Sequence, residues 1–161
     1  DVLDKVPEFG IPFAWGQALG FANREIVRSE TYYNVYSIAE QPALKVAQQI
    51  AQAVKALNQA GVAFYGDEAY PVKTVGLGTG CICDPIQHAA LEPDLFIAID
   101  DSIRTWTQTT VAEDSGRPLV VVNHGTSEEP GMKGLSQHLK VQFPAIPVHH
   151  IPQGCGYRWI G

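Results

Sequence analysis

Residues 95–129 read LFIAIDDSIRTWTQTTVAEDSGRPLVVVNHGTSEE, and they carry the fold class. LFIAI and LVVV are nearly continuous apolar runs, as in strands that are covered by helices on both faces of a mainly parallel sheet. Between them a helical stretch is predicted over 102–114. Outward from this unit, β-rich runs at 72–76 and 146–151 alternate with helical stretches at 85–91 and 130–140, a rhythm of βαβ units with right-handed crossovers. The expected architecture is α/β: a mainly parallel or mixed sheet with helices on both faces and alternating βα units.

Upstream, Leu44, Ala47, Ile50, Ala51, Val54 and Leu57 recur at helical spacing and Gly61 supplies a stop. Ser37 and Glu40 fit a capping box, while Pro42 suits a first helical turn, so two starts for this helix are open. Aromatic-rich segments around 15–21 and 32–36 are candidate strands. With 161 residues, 45% hydrophobic and 17% charged, the chain fits a single folded α/β domain over 1–161. Its first residue is Asp1, which suits a processed product or the C-terminal part of a longer chain.

A net charge of -6 disfavours a nucleic-acid partner, which calls for a basic face. No run reaches the roughly 18 apolar residues of a membrane span and no signal peptide is evident, so a cytoplasmic protein without a membrane partner is expected. Cys81, Cys83 and Cys155 lack the spacing of a structural zinc site and read as free thiols.

In an open α/β sheet, ligands gather beyond the carboxyl ends of the strands. Three loops belong there: Val75–Cys81, Asp100–Ser102 and Asn123–Glu129. In the last, His124 and Glu128 stand four residues apart at a strand end, and an imidazole with a carboxylate suits a divalent transition metal such as zinc, manganese, iron or nickel. They also suit a hydrogen-bonded turn residue and a carboxylate favoured by the helix dipole. Asp100 and Asp101 follow the LFIAI strand as candidate catalytic carboxylates, in reach of a base role or a further ligand, although either could cap a helix. Gly76, Gly78 and Gly80 could bring backbone N–H groups close to an anionic group, or simply turn the chain from strand to helix, with Asp84 capping a helix that begins at Pro85. His149 and His150, neighbours in an extended run, face opposite sides and do not converge on one ion. The tryptophans Trp15, Trp106 and Trp159 fit either subunit contacts or the core.

The order VGLGTGCICD, PDLFIAIDD and LVVVNHGTSEEPGMKGLSQHL resembles the closing half of the dinuclear-metal-centre hexamer family. These are the NGG-interacting-factor-like proteins, also designated type-two GTP cyclohydrolase I. The resemblance implies that His124 and Glu128 are ligands of a two-metal site, that Asp101 or Asp100 serves the chemistry, and that the protein is a metal-dependent hydrolase acting on a small anionic, nucleotide-like substrate. It also implies a homo-oligomer and further ligands from an N-terminal half, an adjacent His-His pair and an aspartate that are not recognisable here. The family's Thr-Gly-Glu at the acidic strand end is replaced by acidic positions 100 and 101, and Asn123 stands where a glycine usually precedes the histidine. A non-catalytic metal-binding or protein-interaction domain of the same fold is the alternative expectation.

Overall fold

The computed structural model describes residues 3–7, 9–104 and 106–160. Its centre is a six-stranded mixed sheet in the order β1-β2-β4-β5-β6-β3, built from β1 (Ile26–Glu30), β2 (Tyr33–Pro42), β3 (Ala63–Tyr65), β4 (Pro71–Leu77), β5 (Leu95–Ile99) and β6 (Leu119–Val122). The three central strands β4, β5 and β6 run parallel, and β1, β2 and β3 pair antiparallel around them. All of LFIAI and LVVV is buried, which requires cover on both faces of the central strands. The α/β architecture with a mixed sheet is therefore the observed one.

Four helices accompany the sheet: α1 (Ile11–Ala18), α2 (Ala43–Lys55), α3 (Gln108–Ser115) and α4 (His124–Gln142). The helix α2 starts at the second of its two candidate boundaries. Pro42 is its N-cap residue, while Ser37 and Glu40 lie inside β2, so the apparent capping box is a strand segment. Its buried face is Ala43, Val46, Ala47, Ile50 and Val54, which shares Ala47, Ile50 and Val54 with the expected face, while Leu44, Ala51 and Leu57 are only half-buried. The segment 15–21 is mostly helix α1 and not a strand, with Pro12 in its first turn and Trp15 fully buried. By contrast Trp106 and Trp159 are exposed.

Two further expectations give way. Residues 85–91 form turns and a short 3-10 segment at Ala89–Leu91 in place of a helix. Asp84 Oδ1 accepts the Ile86 amide at 2.8 Å, a local turn that competes with helix, and Glu92 closes the segment in the left-handed region at φ 43. Residues 146–151 join no strand, since Pro147 and Pro152 lack the N–H a ladder needs. They run instead as an irregular strap beside α4. The helix α4 itself begins earlier than predicted, directly at His124, and carries Pro130 inside it. It packs on α1 so closely that a Cβ at Gly131 would lie 2.6 Å from Ile11 Cγ1.

Candidate functional site

The carboxyl ends of the three parallel strands bring the expected loops together. After β5, the Asp100 amide donates to Val122 O at 3.0 Å, which ties the end of β5 to the end of β6. The Asp100 carboxylate then uses both oxygens on the next connection. Oδ1 accepts the His124 backbone N–H at 3.1 Å and Oδ2 accepts Asn123 Nδ2 at 2.9 Å. Asn123, the N-cap residue, makes no side-chain cap of its own, so Asp100 from the neighbouring strand satisfies an otherwise orphaned amide of α4. Its place is structural support beneath the site.

Asp101 lies one residue further out. Its Oδ2 is 2.5 Å from His124 Nδ1, and on the other side of the ring His124 Nε2 is 2.8 Å from Glu128 Oε1. The pair His124 and Glu128 is brought together because positions i and i+4 share one face of a helix. Burial alone would lower the His124 pKa, but the hydrogen bonds to Asp101 and Glu128, with the charges of both carboxylates, raise it above 6.5. In this arrangement the imidazole ring lies between two carboxylates, which favour its protonated form. Among the described residues no group of three or more His, Cys, Asp or Glu side chains is disposed around one ion.

The glycine loop divides in two. A Cβ at Gly76 would lie 2.6 Å from Tyr33 Oη, and one at Gly78 would lie 2.9 Å from Tyr33 Cδ2, so these positions make room for a buried aromatic ring. Gly80 alone reaches the site. It adopts φ +61, and a Cβ there would stand 3.1 Å from Glu128 Oε1 and 3.3 Å from His124 Nε2. A cavity of about 180 Å³ opens at this point, lined among others by Thr79, Gly80, Cys81, His124 and Glu128. On the Asp101 side lies a polar depression of about 360 Å³ that includes Cys81, Asp84, Asp101 and Arg104. A more apolar cavity of about 330 Å³, between Ile86, Phe96, Val111 and Leu119, contains none of these polar groups.

The cysteines are unpaired. Cys81 is exposed at the site, whereas Cys83 is buried and donates to Ile97 O at 3.0 Å; burial pushes its thiol pKa up to about 12. His149 is exposed, and His150 turns to Glu129, away from His124.

Three supporting residues escaped the sequence reading. Gln59, almost fully buried, accepts the Asn123 amide through Oε1 at 3.1 Å and donates to Gly61 O at 2.7 Å. Tyr33 fills the space left by the glycines, and Glu129 anchors the strap. Only Glu129 left a trace in sequence, as the second member of an acidic pair in which one residue must face away from the site.

A family model described as Duf34/NIF3 (NGG1p interacting factor 3) matches residues 2–153. The chain belongs to the Duf34/NIF3 family. Solved structures agree on the fold. The hypothetical protein SA1388 of Staphylococcus aureus is 16% identical with a TM-score of 0.71, over 95% of this chain and 65% of that one. The protein ybgI, of unknown function, is 22% identical with a TM-score of 0.69, over 86% of this chain and 54% of its own. A Bacillus cereus protein related to NIF3 is 19% identical with a TM-score of 0.63, over 80% of this chain and 35% of its own. This Duf34/NIF3 chain thus spans less than two thirds of the length of these structures. At such identities the likeness concerns the fold alone. No curated protein matches the chain. Among the described residues no helix is long and apolar enough to cross a membrane.

Proposed function

We propose that this Duf34/NIF3 chain supplies two ligands, His124 and Glu128, to a divalent-metal site of a hydrolase. The observation that carries the reading is the orientation of one imidazole, with Nε2 beside Glu128 at the cavity mouth and Nδ1 held by Asp101. Metal-bound histidines commonly donate their second ring N–H to a carboxylate, which fixes the tautomer and the ring direction. Asp101 is assigned that orienting role, and Asp100 holds the backbone from which His124 projects. Gly80, without a side chain, leaves the space beside both donors open.

The donor set fits zinc, manganese, iron or nickel, since all accept mixed imidazole and carboxylate coordination. A bound divalent ion would supply polarisation of the scissile bond and a water acidic enough to attack near neutral pH. Two protein ligands are short of the usual three at a catalytic ion. The remaining ligands are assigned to another part of the protein, an N-terminal half or a neighbouring copy in a homo-oligomer. The substrate is assigned to a small anionic, nucleotide-like class that enters between the glycine turn and Asp101.

A second reading, a metal-binding or interaction domain without turnover, is favoured by the lack of a three-residue ligand group among the described residues. Zinc and manganese titrations of the wild type and Glu128→Gln, followed by a hydrolysis screen against nucleotides with and without chelator, separate the two. Metal-dependent turnover lost in Glu128→Gln supports the hydrolase. Metal binding without turnover supports the second reading, and nucleotide binding that survives chelation would count against both.

A further inference from the structure

The helix that carries both proposed ligands begins with a weak turn. Gly125 is a poor helix former, Thr126 and Ser127 are only middling ones, and Pro130 has no N–H to offer the carbonyl of Thr126. Something outside the helix must hold this turn in place. Asp100 secures one end of it, through the His124 amide.

Glu129 lies in the next turn and is 8% exposed. A buried carboxylate is costly unless it is hydrogen-bonded. Its Oε2 accepts the backbone amides of Gln153 at 2.9 Å and Gly154 at 3.3 Å. Its Oε1 lies 2.8 Å from His150 Nε2, without the geometry of a hydrogen bond. Further along, the Gly156 amide donates to Asn123 Oδ1 at 3.1 Å. Residues 150–156 therefore cross the start of α4, at a separation so small that a Cβ on Gly125 would stand 2.7 Å from Gly154 O.

We propose that Glu129 is a positioning residue for the metal site: it clamps the strap 150–156 across the first turn of α4 and so fixes the backbone that presents His124 and Glu128. The proposal rests on the reading of these two residues as metal ligands. The adjacent carboxylates divide the work, Glu128 facing the cavity and Glu129 facing the strap.

The test combines zinc calorimetry with amide hydrogen exchange of the metal-free protein. In Glu129→Ala, zinc affinity should fall about 10- to 100-fold, the range seen when an outer partner of a ligand is removed. Amides 124–128 should exchange faster while those of β5 and β6 keep their protection. Glu129→Gln, which retains an acceptor oxygen for Gln153 and Gly154, should restore both readouts. Wild-type zinc affinity with unchanged exchange at 124–128 would overturn the proposal, as would an equal loss of protection across β5 and β6, the mark of a merely structural residue. If the wild type binds no zinc, the metal reading fails, and exchange at 124–128 alone decides the clamp. Should Glu129→Ala not fold, Gln153→Pro, at an exposed position, removes the amide that donates to Glu129, and it must show the same two effects.

Discussion

At the scale of single residues, the account turns on a proton. With both ring nitrogens of His124 beside carboxylates, the imidazolium is favoured in the metal-free protein and its pKa stands above 6.5. The stabilisation this gives is fully present below the unfolded value near 6.5 and is lost as pH rises through the higher folded value. A metal ion must displace the proton facing Glu128, so zinc affinity should climb with pH across that window and level off above it. Calorimetry in buffers of different ionisation enthalpy will count the released proton. The same affinity at pH 6 and pH 8 would contradict the assignment. Asp101→Ala leaves Nδ1 without its partner and should weaken zinc binding about 10- to 100-fold.

At the scale of elements, the turn after β4 is the most constrained. Gly80→Ala would force an alanine to φ +61 and set its Cβ 3.1 Å from Glu128 Oε1. The cost of the left-handed backbone is about 1–2 kcal/mol, read as a lowered denaturation midpoint together with weaker metal binding. The same turn was easy to see in sequence but not to interpret, because glycine spacing alone does not tell packing from ligand contact. Gly76 and Gly78 make way for Tyr33, which comes from the neighbouring strand β2, about 40 residues earlier in the chain, and only Gly80 touches the site. The buried strands β5 and β6 were legible because apolar runs of their length admit few other fates. The false capping box at Ser37 gave way to strand pairing with β4, whereas the helix expected at 85–91 lost to a local turn at Asp84.

At the scale of the whole molecule, the sheet places three loops at one edge, and the membership of His124 and Glu128 in that edge followed from the order of strands and helices. What lay outside the reach of sequence were the long-range supports, Gln59 beneath Asn123 and the strap over α4, since these depend on contacts between segments far apart in the chain. The packed interior also sets the alkaline limit. Burial raises Cys83 from 9.0 to about 12 and raises Tyr33 well above 10.0. Both groups resist ionisation in the folded state, so their contribution is intact below about pH 9 and is lost as pH rises toward 12. Thermal melts between pH 8 and 11 should show a falling midpoint, with a shallower fall in Cys83→Ala. Alkylation at pH 8 should label Cys81 and spare Cys83 until the protein unfolds.

The measurement that bears most directly on the metal reading is the metal content of the freshly purified protein, wild type beside His124→Ala, after its mass has been determined. Near-stoichiometric divalent metal in the wild type and its loss in His124→Ala is the predicted result. Equal metal content in the two, or none in either after zinc is added, would contradict a site at His124 and Glu128.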